Sequence, residues 1–194
     1  KASLDARDIN YDPTKGWFAS QQISWYGLTP WETDFYSRFD TKLEAYYPIL
    51  NIPLSEKYTF KLIFAALTSF SVQLPVIGSG VSDSNKLYID GMFNARGWDN
   101  IYNSVKGQAL WANSFEIRYP VVPGIIAIDA FFDVAAITKT AGDMFTNLNS
   151  NNFYFSFGPD IRMLLPQFPM RFMFCNTFKI TDNKFDWHDT MKFV

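Results

Sequence analysis

Residues 111–119 read WANSFEIRY. Trp111, Phe115, Ile117 and Tyr119 share one parity of this stretch, while Ala112, Ser114, Glu116 and Arg118 take the other. Successive side chains of a β-strand point to opposite faces, so a two-residue period reads as a strand with one greasy and one wet face.

The pattern recurs on both sides. From 35 to 47, Phe35, Phe39, Leu43, Ala45 and Tyr47 oppose Tyr36, Arg38, Asp40, Lys42, Glu44 and Tyr46. From 124 to 136, Ile126, Ile128, Ala130, Phe132 and Val134 oppose Asp129 and Asp133. From 170 to 180, Met170, Phe172, Phe174, Phe178 and Ile180 oppose Arg171, Cys175, Thr177 and Lys179. Strands are expected near 16–26, 35–47, 58–72, 108–119, 124–136, 152–164, 170–180 and 186–194, with a partial one before Tyr11. Helical stripes are nearly absent.

A soluble sandwich alternates too, but these strands are long against a usual five or six residues, and aromatics sit at their ends. Trp17 and Trp25 share a parity eight positions apart, as do Trp111 and Tyr119. Eight tilted residues climb roughly 20 Å, close to the ~25 Å apolar band between the aromatic girdles of an outer-membrane barrel. Connections alternate in length as such a barrel requires. Short turns are expected at Asn51-Ile52-Pro53, Val121-Val122-Pro123 and Pro166-Gln167-Phe168, which places Tyr47, Tyr58 and Tyr119 at the periplasmic rim; 73–107 and 137–151 leave from the other rim. The last strand then descends and leaves Val194 on the periplasmic side.

Composition agrees. Twenty Phe, 10 Tyr and 6 Trp accompany a formal charge of only -2, with no basic stripe for nucleic acid or a polybasic membrane patch. One cysteine, Cys175, excludes an internal disulfide, and one histidine, His188, with no cysteine cluster excludes the usual transition-metal spacings. No apolar run reaches 18 residues, and KASLDARDIN lacks a signal-peptide core, so the chain reads as a fragment beginning mid-pattern.

The loop from about 74 to 107 is too long for a connector. Its Leu87, Tyr88, Ile89, Met92, Phe93, Trp98, Ile101 and Tyr102 are expected to hide by folding into a lumen. Eight strands alone enclose a lumen already filled by their own side chains, so a wider barrel is required, with this chain supplying part of its wall. Within the loop, NARGW at 94–98 carries a lone cation, and Arg96 is expected to meet Glu116 and Asp133 in a partly wet interior. Its planar fork suits carboxylates.

These segments resemble the C-terminal barrel of BamA-type outer-membrane assembly proteins, the bacterial surface antigen family. ARGW is similar to the VRGF-type motif of that family's sixth external loop, with Ala95 for Val and Trp98 for Phe. YDPTKGW, KLEAYYPI, FEIRYPV, IDAFFDVA and FSFGPDIRMLLPQFPMRF follow in family order across nearly all of the chain. The resemblance implies an all-β, antiparallel transmembrane barrel of roughly sixteen strands, of which residues 1–194 form the C-terminal part, with the first barrel half and periplasmic POTRA domains lying outside it. It implies insertion of unfolded β-barrel clients into the bacterial outer membrane, contact with outer-membrane lipids, and accessory lipoprotein partners. Position by position, Arg96, Gly97 and Trp98 correspond to the loop motif, Glu116 and Asp133 to its wall partners. Asp186, Trp187, His188, Asp189, Thr190, Met191, Lys192, Phe193 and Val194 correspond to the strand at the barrel's weak seam. The family tends to end on an aromatic residue, whereas Val194 follows Phe193 here.

No catalytic residue, metal or cofactor is expected. His188 by itself reads as an ordinary rim or lumen side chain, Cys175 as a small inward filler, and Trp98 as a packing anchor. GSG at 78–80 lacks the Lys-Ser/Thr of a phosphate loop, and Asp129 with Asp133 lacks a nucleophile. A passive pore and a two-partner secretion transporter stand as alternatives; an enzyme is the weakest, since His188 has no evident serine partner.

Overall fold

The computed structural model describes residues 1–27, 34–55, 58–76, 79–99, 101, 104–165, 170–181 and 184–194. Nine strands form one antiparallel sheet in which sequence neighbours pair: β1 (Ala2–Asp5), β2 (Gly16–Tyr26), β3 (Tyr36–Ser55), β4 (Tyr58–Pro75), β7 (Ala109–Val122), β8 (Ile126–Thr138), β9 (Phe153–Met163), β10 (Met170–Thr181) and β11 (Lys184–Phe193). β5 (Leu87–Tyr88) and β6 (Lys106–Gly107) make a separate two-stranded ribbon inside the long loop. The only α-helix among the described residues is a single turn, α1 (Asp143–Thr146). The sheet is open, with β1 and β11 at its edges.

Alternation sorts the sheet into two faces. Phe115 pairs with Phe132 and Ile117 with Ala130 on the outer face, where Phe115, Ile117 and Phe132 are exposed; on the inner face Glu116 and Asp133 are buried. Trp17 and Trp25 are exposed on β2, and Phe155 stacks with Phe153 on β9. On β3 the inner row Arg38, Asp40, Lys42 and Glu44 neutralises itself through ion pairs of 2.9 Å between Arg38 and Asp40 and 2.6 Å between Lys42 and Glu44.

The β3–β4 hairpin departs from expectation. Asn51, Ile52 and Pro53 do not turn: they pair with Lys61, Phe60 and Thr59, and the strand runs on to Ser55. Pairing of β2 with β3 stops at Gly16↔Tyr46, so residues 47–54 of β3 have no β2 partner, and the β3–β4 register shifts at Pro48 and again at Pro53, neither of which has an N–H to give the ladder. Pro120, which also lacks a donor, follows the last β4–β7 partner pair, Ile63↔Arg118. The β7–β8 turn falls slightly later than expected: β7 includes Val122, and the turn is closed by Ile125 N–H donating to the Val122 carbonyl at 2.9 Å across Gly124, whose φ of 72° is a glycine conformation. The expected turn at Pro166-Gln167-Phe168 and the side chains of Tyr58 and Tyr102 lie outside the described residues.

The core sits on the inner face, beneath the long loop. Leu87, Ile89, Ala95 and Trp98 pack against Leu110, Ala112, Ala135, Ile137 and Tyr154 of β7, β8 and β9. The inner wall is therefore apolar towards the loop-bearing rim and charged further along. Three expectations fail here: Tyr88, Met92 and Phe93 are not hidden, and Phe93 is 81% exposed. Met92 and Phe93 lie in the tight turn of the loop tip that the Asp90 carboxylate caps.

Candidate functional site

The tip of the loop is built by backbone hydrogen bonds. The Asp90 carboxylate accepts N–H donors from Met92, Phe93 and Asn94 at 2.9, 2.7 and 3.1 Å, and Gly97 N–H donates to the Gly91 carbonyl at 2.8 Å. Gly91, Ala95 and Gly97 all have positive φ, with Ala95 at 54°. An alanine held there is strained and persists because its surroundings fix it. Gly97 is required twice over: its φ is 87°, and a Cβ would lie 2.5 Å from Cys175 Cβ and 3.0 Å from a Thr177 methyl. The tip therefore rests directly on β10.

Arg96 points from this tip into the wall and is 4% exposed. Its Nε and Nη2 hold both oxygens of Asp133 at 2.7 and 2.6 Å, and its own backbone N–H donates to Asp133 at 3.0 Å. Nη1 donates to Glu116 at 2.7 Å and reaches Asp160 at 3.4 Å; Nη2 also donates to Ser114 at 2.6 Å. The guanidinium lies over the Phe131 ring, 3.9 Å from its centroid. Arg96 is thus enclosed by its partners, beside a cavity of about 240 Å³ that Ser114, Glu116 and Arg171 also line. At such depth desolvation is large, and only a saturated set of partners offsets it.

The cluster extends beyond Arg96. Arg171 donates to Glu116 at 2.8 Å and to Asp160 at 2.9 Å, Arg118 donates to Glu116 at 2.7 Å, and Arg162 pairs with Asp129 and, at 3.5 Å, with Asp12. Four arginines and five carboxylates from six segments, the β1–β2 turn, the long loop and β7 to β10, thus interlock. Arg118, Asp160, Arg162 and Phe131 were not assigned to the site by sequence reasoning. Parity alone places them on the inner face; nothing in a linear pattern says which cation meets which anion.

Trp98, 3% exposed, carries the tip across to the last strand. Its Nε1 donates to the Phe155 carbonyl at 2.9 Å, and its ring meets Tyr154 edge-on at 5.1 Å. On its other side His188 of β11 stacks at 4.8 Å and 7°. The next loop residue, Asp99, pairs with Lys192, also of β11. Sequence gave His188 no such role, since one histidine in an alternating strand carries no signal of what lies opposite.

β11 itself is poorly laddered. Register shifts fall between Cys175 and Thr177 and between Thr177 and Phe178, each adding one residue on β11, and Met191 has a φ of 50°. Side chains take over where the ladder breaks: Thr177 Oγ1 accepts Asp189 N–H and Asn176 Oδ1 accepts Met191 N–H, both at 3.0 Å. Asp186 pairs with Lys179, Trp187 packs on Phe178, Thr190 is exposed, and Phe193 rests against Phe172 and Phe174. Val194 exchanges hydrogen bonds with Met173 at 2.9 and 3.0 Å.

An open sheet of long antiparallel strands, an inward loop with an Arg-Gly-aromatic tip and a buried carboxylate set facing that arginine are features to compare with known proteins. The Omp85 superfamily domain matches residues 1–193. A protein of Treponema pallidum (strain Nichols) named "Putative outer membrane protein assembly factor" is 33% identical over 223 residues, covering 99% of this chain and 26% of that protein. The chain thus spans about a quarter of that relative's length. With the family model covering all but the last residue, the chain belongs to the Omp85 superfamily.

Proposed function

We propose that this chain is part of a bacterial outer-membrane barrel that folds and inserts other β-barrel proteins, with β11 as the templating surface and the Arg96 loop bracing the wall beside it. The observation that carries the reading is the state of β11: its pairing with β10 is interrupted twice, and the loop tip touches it through Trp98 and Asp99. An edge strand offers unpaired N–H and C=O groups to an extended polypeptide, and the interrupted ladder makes that strand easier to displace than its neighbours. A client strand added there keeps its backbone hydrogen-bonded instead of exposing it to lipid. No bond is made or broken. Superfamily membership and the relative's name support outer-membrane protein assembly; unfolded barrel proteins as clients, outer-membrane lipids as surroundings and accessory lipoproteins as further partners belong to the proposal.

The test is client assembly by the full-length protein in proteoliposomes, measured with protease protection of the loop. Arg96→Glu, which sets a fourth carboxylate against Asp133, Glu116 and Asp160, is expected to lose both loop protection and assembly. Arg96→Lys should recover part of each, because a point charge cannot reproduce the fork. Normal assembly with a charge-reversed Arg96 and an unprotected loop would remove the brace from the mechanism.

A further inference from the structure

The two long loops of the same rim fold in opposite directions. Residues 87–99, 101 and 105 return over the inner face, whereas Met144, Phe145 and Leu148 of the other loop lie against the outer one. There Phe145 of α1 meets Phe70 of β4 edge-on, at 6.1 Å and 67°. Phe70 in turn pairs across strands with Trp111 of β7, which belongs to the outer row of Phe115 and Ile117.

We infer that loop 139–149 is an interfacial anchor that seats a phospholipid acyl chain against the outer wall of β4 and β7. The inference rests on the membrane placement proposed above, but not on client assembly. Continuity with the apolar outer wall identifies the occupant. A cavity of about 340 Å³ is lined by Phe70, Trp111, Met144, Phe145 and Leu148. Trp111 also borders a second depression of about 520 Å³, which runs down the outer wall over Ala45 and Ala66 towards Phe115. Ala45 and Ala66 pair directly, between Trp17 on one side and Phe115 on the other, so two small residues leave a trough between two large ones. From Phe70 to Ala66 the strand advances roughly 13 Å, the scale of an acyl chain.

Depth and chemistry agree with this occupant. Trp111 lies eight residues from Tyr119, at the level of the girdle where headgroups meet acyl chains. The loop is polar on one side and apolar on the other, as an interfacial segment is. Asp143 accepts from Thr140 Oγ1 at 2.7 Å and from Asn147 Nδ2 at 2.9 Å, while Phe145 is 73% and Leu148 37% exposed. An aromatic so exposed beside a greasy wall is suited to lipid rather than water.

Fluorophores placed through Phe145→Cys, Phe115→Cys and Phe93→Cys in the full-length protein, reconstituted in phospholipid bilayers, test the anchor. Phospholipids brominated near the headgroup end of their chains are expected to quench the label at 145 at least about twofold more than aqueous iodide does, with the reverse at 93. Native mass spectrometry of the Ala66→Phe protein should show one fewer retained phospholipid than the parent. If iodide dominates at 145 while brominated lipid quenches at 115, the loop stands in water and the anchor is overturned with the membrane placement intact. If iodide dominates at 115 as well, the placement itself fails. Unchanged phospholipid retention after Ala66→Phe would overturn the acyl-chain seat.

Discussion

His188 of the last strand stacks on Trp98 of the inward loop, ring centroids 4.8 Å apart and 7° from parallel. Since Trp98 also touches Tyr154 and donates to the Phe155 carbonyl, one indole joins the loop, β9 and β11. The loop and β11 are therefore coupled by contact. Trp98→Ala is expected to destabilise the barrel by about 3–5 kcal/mol, as removal of a large buried aromatic does. It should also speed hydrogen exchange in β11 and in the loop together. His188→Ala should speed exchange at β11 with a much smaller loss of stability, because its side chain is 53% exposed. Faster exchange in the loop alone after Trp98→Ala would show that the contact does not couple them.

Arg96 is expected to matter more for stability than an exposed ion pair does. Its removal leaves Asp133 without its guanidinium partner at 3% side-chain exposure, while Glu116 and Asp160 keep Arg171. Breaking a buried pair in this way costs about 3–5 kcal/mol. Arg96→Ala should therefore lower the urea midpoint of the refolded barrel, and Arg96→Ala with Asp133→Asn should recover part of the loss. An additive double variant would mean the two residues are not partners.

Gly97 has no room for a side chain, so Gly97→Ala should lift the tip off β10. Cys175 reports this directly. It is fully buried under Gly97, and a maleimide should modify it slowly in the parent protein and much faster in Gly97→Ala. An unchanged rate would show that the tip does not seal Cys175.

The turn between β1 and β2 gives a pH dependence. Burial alone would raise the Asp8 carboxyl, but donors from Thr14, Lys15 and Ile9 hold it down to about 2. A carboxylate depressed in the folded state stabilises fully above its unfolded value of 3.8 and loses that contribution as pH falls towards 2. Protease resistance of residues 6–15 should decline across that window, and Asp8→Asn should abolish the dependence. A decline centred near neutral pH would assign it to another group.

The faces of the wall were legible because a two-residue period survives in every strand: Phe115 and Glu116 need no partner to declare their sides. Arg96 stood out as a lone cation among apolar loop residues, and parity aimed Glu116 and Asp133 inward. Other features arise from pairing, which a linear pattern does not carry. Asn51-Ile52-Pro53 has turn chemistry, yet it lies where β3 has outrun β2 and pairs with β4 alone, with a register shift just after Pro53. The bulges of β11 depend on what Asn176 and Thr177 offer across the ladder, not on residues 186–194 themselves. Met92 and Phe93 were assigned to the interior by hydrophobicity, whereas the Asp90 cap fixes a turn that points them away from the wall.

The central claim is that β11 receives the client strand. Its most direct measurement is cysteine cross-linking between a stalled client and single positions of the full-length protein in membranes, scanned along Phe185, Trp187, Asp189 and Thr190 of β11 and along Phe153, Phe155 and Phe157 of β9. Cross-links are predicted at β11, in a register that advances with the client's own cysteine position, and none at β9, whose two edges are paired by β8 and β10. Arg96→Glu should reduce them. Cross-links of equal strength on β9, or none on β11 while assembly proceeds, would contradict a templating role for the last strand.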